Sequence, residues 1–183
     1  MHHDPSQVYR PEADTYLLLD AAIAEVKPGD RVLEVGTGSG MIAAELANLA
    51  MTVATDINPH AVLSARKAGV EVVRCNLCDA IRGPFDLILF NPPYLPTEPH
   101  ERIDDWLEYA LDGGKTGRET NARFAVGIGR VLAPRGNILL LVSSLTGPGE
   151  TARLFEGLGY SVGQVRRERV EDEFLSVLRV HRG

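Results

Sequence analysis

The tetrapeptide Asn91-Pro92-Pro93-Tyr94 directly follows the apolar run Leu87-Ile88-Leu89-Phe90. Prolines have no backbone N–H, so this segment offers carbonyl acceptors on a chain of fixed φ, with a carboxamide at one end and an aromatic ring at the other. The Asn91 side-chain oxygen and a neighbouring carbonyl can each accept one N–H of an amide or exocyclic amine, while Tyr94 covers the conjugated face. Such a cradle suits chemistry at a planar nitrogen. Alone, the same residues would equally describe a proline-ended strand entering a loop.

A glycine cluster upstream shifts the balance. Val32-Leu33-Glu34-Val35-Gly36-Thr37-Gly38-Ser39-Gly40 reads as a buried strand running into a turn where backbone approaches a ligand closely, with a helix behind it. That is a nucleotide-type cofactor site. A dinucleotide fingerprint places a third glycine where Met41 stands, and its absence counts against NAD. Asp56, at the end of the next strand, can accept both ribose hydroxyls of either cofactor. Glu34 helps to decide, because a negative charge beside a pyrophosphate repels it, whereas S-adenosylmethionine has no phosphate and presents an ammonium and a sulfonium. Asn76 and Leu77 fall where the third strand ends, on the same carboxyl edge. Asn76 could bond an adenine edge and Leu77 cover its face, although a polar turn residue explains Asn76 as well.

The elements that must hold these residues follow from periodicity. Leu17, Leu18, Leu19, Ala22, Ile23 and Val26 give a helix over Glu12 to Val26, stopped by Pro28-Gly29. Strands are expected at Arg31 to Val35, Thr52 to Thr55, Val70 to Arg74 and Asp86 to Phe90. Helices are expected over Met41 to Leu49 and from the Asn58-Pro59 cap to about Ala68. The acidic, glycine-ended stretch from Leu95 to Gly117, a lip over residues 95–118, is too long for an idle connection and should carry a short helix around Trp106. A helix near Glu119 to Leu132, a strand at Asn137 to Val142, a helix near Gly149 to Leu158 and strands at Tyr160 to Val165 and Phe174 to Val180 complete the chain. The last two strands lie too close for a crossover helix, so they form an antiparallel hairpin ending an otherwise parallel sheet.

The 183 residues, 44% hydrophobic and 24% charged, fit one globular domain over 1–183, with residues 1–30 as an N-terminal helical segment. No apolar run reaches bilayer length and Met1-His2-His3-Asp4-Pro5 has no signal-peptide core, which gives a cytoplasmic expectation and no membrane. The net charge of −6 argues against a large nucleic-acid footprint. Arg166-Arg167-Glu168-Arg169, followed at once by Glu171-Asp172-Glu173, reads as a solvated hairpin. Cys75 and Cys78 are too few for a disulfide framework, and their C-x-x-C spacing lacks further ligands among the scattered histidines, so no metal site is expected.

Taken together, the glycine loop with Glu34, Asp56-Ile57-Asn58-Pro59, Asn91-Pro92-Pro93-Tyr94 and Asp112-Gly113-Gly114-Lys115-Thr116-Gly117-Arg118-Glu119 resemble the HemK family of S-adenosylmethionine-dependent glutamine N5-methyltransferases. Val8-Tyr9-Arg10-Pro11-Glu12-Ala13-Asp14-Thr15-Tyr16-Leu17 and Glu173-Phe174-Leu175-Ser176-Val177-Leu178 are similar to its short archaeal and eukaryotic branch. The resemblance implies an α/β fold, a Rossmann-like class I methyltransferase with a seven-stranded, mostly parallel sheet, helices on both faces and a C-terminal antiparallel hairpin. It implies S-adenosyl-L-methionine as cofactor, contacted by Thr15, Glu34, Gly36, Gly38, Asp56, Asn76 and Leu77, with Asn91 binding the substrate amide in a catalytic segment Asn91, Pro92, Pro93 and Tyr94. The implied substrate is the Gly-Gly-Gln glutamine of a class I peptide-chain release factor. A small zinc-binding activator subunit is the implied partner, with the edge strand Val70 to Arg74 as its expected dock. That branch usually has Glu-Pro-Ala-Glu-Asp-Thr where this chain has Arg10 to Thr15, which keeps Asp14 and Thr15, and an acidic residue is commoner at Asn76.

Three rivals stand beside this reading. Methylation of adenine N6 in DNA or RNA shares the Asn-Pro-Pro-Tyr motif but sits badly with the acidic chain. An NAD-dependent oxidoreductase is opposed by Met41 and Glu34. A non-catalytic scaffold would not need Asn91.

Overall fold

The computed structural model describes residues 3–98, 100 and 105–183. A 3-10 turn at Pro5–Gln7 precedes α1 (Ala13–Glu25), β1 (Arg31–Val35), α2 (Met41–Ala47), β2 (Met51–Asp56), α3 (Pro59–Lys67), β3 (Glu71–Arg74) and β4 (Phe85–Phe90). Then come α4 (Trp106–Leu111), α5 (Glu119–Ile128), β5 (Leu132–Ser143), a 3-10 turn at Ser144–Thr146, α6 (Pro148–Glu156), β6 (Tyr160–Val170) and β7 (Glu173–Arg182). One seven-stranded sheet has the order β3-β2-β1-β4-β5-β7-β6. The pairs from β3 to β5 are parallel, and β7 is antiparallel to both β5 and β6. This is the mostly parallel sheet with a terminal hairpin that the sequence leads one to expect.

Strand parity divides the core into two layers. Leu33, Val35, Ile88, Phe90, Ile138 and Leu140 point to one face, where Phe124 and Ile128 of α5 and Phe155 of α6 cover them. Val32, Leu87, Leu89, Leu139 and Leu141 point to the other, under Leu17, Leu18, Ala21 and Ala22 of α1 and Ile42 and Leu46 of α2. Such central strands are apolar on both faces because helices cover both. The helix starts are set locally: the Asn58 side chain accepts from His60 N and Pro59 opens α3, while Pro148 opens α6.

Three features depart most from the periodicity. Helix α5 stops at Ile128, four residues early, and β5 begins at Leu132. There Phe85 pairs with Leu132, the register shifts, and Leu87 pairs with Asn137. Pro134 rules out helix at this point, and Gly136 lies where a Cβ would be 2.8 Å from the Phe85 carbonyl oxygen, so the extra residues are absorbed as a bulge. The terminal hairpin is longer than expected, pairing from Tyr160↔Arg182 to Val170↔Glu173, and it carries the exposed Arg166 to Arg169 on its outer strand. Finally, β3 is a sheet edge, but Val70 and Val72 are buried against Ala43, Ala54, Val62 and Ala65. Of Val70, Val72 and Val73, expected to be available for pairing, Val70 precedes the strand and the Val70 and Val72 side chains are buried, so what the edge offers a partner is the backbone of Glu71 to Arg74.

Candidate active site

The strand order reverses between β1 and β4, and the loops after their carboxyl ends open a crevice there. A cleft of about 1130 Å³ occupies it. Thr15, Glu34, Gly36, Gly38, Asp56, Asn76, Leu77, Asn91, Pro92, Pro93 and Tyr94, spread over 80 positions of sequence, all line this one cleft. Its volume slightly exceeds the range of about 300–1,000 Å³ for a small-molecule site, which leaves room for a cofactor and a substrate side chain together.

The loop after β1 needs its glycines for separate reasons. Gly36, Gly38 and Gly40 all have positive φ, at 69°, 55° and 85°. A Cβ on Gly40 would also lie 2.6 Å from Ala65 Cα, so this residue lets α2 pack on α3. Asp56 braces the loop, since its Oδ2 accepts from Gly38 N at 2.8 Å and its Oδ1 from Asn58 N at 2.8 Å. Burial pushes its pKa up, while the backbone N–H bonds from Gly38, Asn58 and Ile57 pull it back. Glu34 is 4% exposed, and its Oε2 accepts from Thr37 Oγ1 and from Ala43 N in the first turn of α2. Burial outweighs these bonds and raises its pKa to about 8. Glu34 thus supports the loop and the start of α2 from beneath the cleft floor.

After β3, Leu77 holds φ 49°, a left-handed conformation unusual for a leucine, and its carbonyl accepts from Thr55 Oγ1 at 2.7 Å. Asn76 is exposed at the rim, and Cys75 and Cys78 are free thiols beside it. The described residues contain no group of His, Cys, Asp and Glu able to hold a metal. Thr15 uses its hydroxyl at the α1 cap, accepting from Glu12 N at 3.4 Å and donating to Asp14 Oδ1 at 3.1 Å.

On the opposite side, Asn91 Nδ2 donates to Asp14 Oδ2 at 3.1 Å. Asn91 Oδ1 is buried and has no hydrogen-bond partner among the described residues. Tyr9 also donates to Asp14 Oδ2, at 3.0 Å. The hydroxyls of Tyr9 and Tyr94 are pushed well above the ordinary tyrosine range, by burial first and by the nearby Asp14 charge second.

The glycine-rich 113–117 loop explains how the proline segment stays in place. Leu95 N donates to Leu111 O and Gly113 N to Leu95 O, pairing the two segments edge to edge. A Cβ on Gly113 would lie 2.9 Å from Pro93 O, and one on Gly117 2.5 Å from Tyr94 O, so both glycines allow the loop to press on those carbonyls. Glu119 closes this loop by accepting from Thr116 N and Arg118 N.

Helix α4 begins at Trp106, as expected, whereas residues 99 and 101–104 of the 95–118 stretch lie outside the described residues. Trp106 N donates to Gln7 Oε1 at 2.9 Å, and the Arg74 guanidinium stacks 5.7 Å from the Trp106 ring. The first 3-10 turn, α4 and the end of β3 therefore close one side of the cleft. From sequence, Gln7 has no role, Arg74 belongs only to the expected activator dock, and Tyr9 and Asp14 are only parts of an N-terminal motif. The Asp14–Asn91 and Gln7–Trp106 contacts join residues 77 and 99 positions apart and left no local periodic signal.

A reversed parallel sheet with a glycine loop, a ribose-type carboxylate and an unpartnered carboxamide oxygen in one cleft defines a Rossmann-like methyltransferase. Comparison with known proteins agrees. Residues 10–104 match the model of the methyltransferase small domain family. A Methanocaldococcus jannaschii relative, provisionally named a protein N5-glutamine methyltransferase, is 40% identical over 96% of this chain and 92% of its own. Human methyltransferase HEMK2 is 35% identical over 95% of this chain and 89% of its own. The solved complex of E. cuniculi Mtq2 with Trm112, described as responsible for methylation of the eRF1 translation termination factor, contains a chain that superposes with a TM-score of 0.81. It is 30% identical, with 97% of this chain and 99% of that one covered. The chain belongs to the methyltransferase small domain family, within its HemK group.

Proposed function

We propose that this chain binds S-adenosylmethionine in the cleft and transfers its methyl group to the side-chain amide nitrogen of a glutamine in a class I peptide-chain release factor. One observation carries the reading: Asn91 Oδ1 is a buried acceptor with no partner among the described residues, at the end of β4 and in the same cleft as the glycine loop. A buried unpaired acceptor is costly unless a ligand completes it. A primary amide N–H does so, while a second N–H of the same NH2 can reach the Pro92 carbonyl.

The cofactor supplies an electrophilic methyl. The remaining work belongs to the chain. Asp56 retains acceptor capacity for ribose hydroxyls beyond the N–H groups it already holds. Leu77 and Asn76 take the base, and Glu34 holds the loop beneath the methionine portion. Asn91 and Pro92 orient the nitrogen in line with the methyl, and holding both reactants so can supply roughly 7–11 kcal/mol of barrier lowering at best. When bound, the cofactor would give up its methyl to the nitrogen held by Asn91 and Pro92, the S–CH3 electron pair staying on sulfur, and the alkylated nitrogen would lose its proton to water. A release factor substrate places the reaction in the cytoplasm. The β3 edge, Glu71 to Arg74, is the proposed dock of a small zinc-binding activator, which adds a strand through backbone hydrogen bonds.

The test is incubation of the chain with labelled S-adenosylmethionine and either release factor, release factor with its Gly-Gly-Gln glutamine changed to Ala, or duplex DNA, with and without the activator. Label on the first substrate alone supports the reading. Label on DNA, or on the glutamine-lacking factor, overturns it. A Val73→Asp variant that folds yet fails to co-purify with the activator supports the dock, and a retained complex moves it to another surface.

A further inference from the structure

Four donors converge on the Asp14 carboxylate, which is 3% exposed. Oδ1 accepts from Thr15 N at 2.6 Å and Thr15 Oγ1 at 3.1 Å, while Oδ2 accepts from Tyr9 Oη at 3.0 Å and Asn91 Nδ2 at 3.1 Å. The arrangement has a chemical consequence for Asn91. A carboxamide can turn over about its last bond, exchanging an acceptor oxygen for a donor NH2 of nearly the same shape. In the turned-over state an NH2 would face the substrate NH2, donor against donor, and the site would be blocked. A carboxylate beside one end of the amide removes that state, because it can accept from Nδ2 but only repel Oδ1.

We infer that Asp14, itself held by Tyr9 and the first turn of α1, is a positioning residue that locks the Asn91 carboxamide with its oxygen toward the substrate nitrogen. The inference rests on the proposed transfer to an amide nitrogen for its effect on turnover, but the lock itself is a property of the free protein. It also gives the N-terminal segment a direct part in the chemistry. Tyr9 and Asp14 lie outside the sheet that carries the cofactor loop; Asp14 reaches Asn91 across 77 positions, and Tyr9 acts on it through Asp14.

The closing experiment separates the lock from the reading. In the free chain, NMR of the side-chain amides should show the Asn91 NH2 pair slowly exchanging, with the protection lost in Asp14→Ala; fast exchange in the unaltered chain overturns the inference whatever the substrate. On the release factor, Asp14→Asn should lower kcat about 10- to 100-fold, the scale on which removing a partner that orients a reacting group acts, while calorimetry finds S-adenosylmethionine affinity within twofold. Asn91→Asp sets two carboxylates against each other. Combining it with Asp14→Asn restores a donor facing an acceptor with the pair exchanged, so the double variant should exceed Asn91→Asp at least tenfold. A double variant no better than Asn91→Asp, in proteins that fold and bind cofactor, would show that Asp14 only stabilises α1. Failure of the unaltered chain to label the glutamine refutes the proposed function and leaves the NMR result to decide the lock.

Discussion

Glu34 should make the stability of this protein fall as pH rises through neutrality. Its carboxyl sits at about 8 in the folded chain against 4.5 for the ordinary value, because burial outweighs the bonds from Thr37 and Ala43. Below pH 4.5 both folded and unfolded chains hold the proton, and the contribution to stability is complete. Between 4.5 and 8 the unfolded chain releases a proton that the folded chain keeps, so each pH unit costs up to about 1.4 kcal/mol. By pH 8 the loss reaches about 4 kcal/mol, of which about 2 kcal/mol falls between pH 6 and pH 8. For a chain of this size that is roughly 4–8 °C in Tm. Glu34→Gln keeps an amide oxygen for the Thr37 hydroxyl and the Ala43 N–H and removes the titration. Calorimetric Tm values at pH 6, 7 and 8 should therefore drop for the unaltered chain and converge less steeply, or stay level, for the variant. Asp56 is also pushed up by burial, and its charge adds to the rise at Glu34, so the difference between the two curves reports Glu34 together with that coupling. Parallel Tm curves would refute the reasoning. So would a gain of stability in the unaltered chain relative to the variant over this window, which would mean that the loop uses Glu34 as a settled anion.

Gly117→Ala should cost more than Gly29→Ala, although both glycines have positive φ, because a Cβ at 117 meets Tyr94 O at 2.5 Å while one at 29 meets nothing within 4 Å. Urea titration should show about 1–2 kcal/mol of backbone strain at each site and a further loss, together with reduced methyl transfer, only at 117; equal losses would mean that the 113–117 loop does not set the Tyr94 carbonyl. Asp56→Ala should weaken cofactor binding by at least about tenfold, the value of one charge-assisted hydrogen bond, in calorimetry on a variant shown to be folded. Unchanged affinity would remove Asp56 from the ribose site. In Glu34→Gln saturated with cofactor, which lacks the cleft carboxyl that titrates at about 8, single-turnover transfer should be nearly flat from about pH 6.5 to 8.5, since the hydroxyls of Tyr9 and Tyr94 titrate far above this window and a methylated amide sheds its proton unaided. A bell centred near pH 7 would require a base, and His100 in the lip is the first place to look.

Local rules carried much of this architecture in the sequence. Short apolar runs closed by Gly36, Asp56 and Asn91 had to be buried parallel strands, because only helices on both faces cover a strand with no polar side. Placing the ligand-facing residues at the carboxyl ends of those strands followed at once, and Asn58-Pro59 announced α3 by supplying an acceptor for the free N–H groups of its first turn. Only the tertiary structure decided what those residues meet. Strand order set β4 beside β1, bringing Asn91 into the cleft of the glycine loop. Helix α3 covered Val70 and Val72, whose β-branched character fits an exposed edge and a buried one equally well. The turn at Pro134 to Gly136 became a bulge because Phe85 and Leu132 pair across it, a match that no window of local sequence contains. The partnership of Tyr9, Asp14 and Asn91 lay furthest from view. A carboxylate, a phenol and a carboxamide have no periodicity in common, and what joins them is the packing of α1 against the sheet, which leaves the Asn91 amide oxygen without a partner among the described residues.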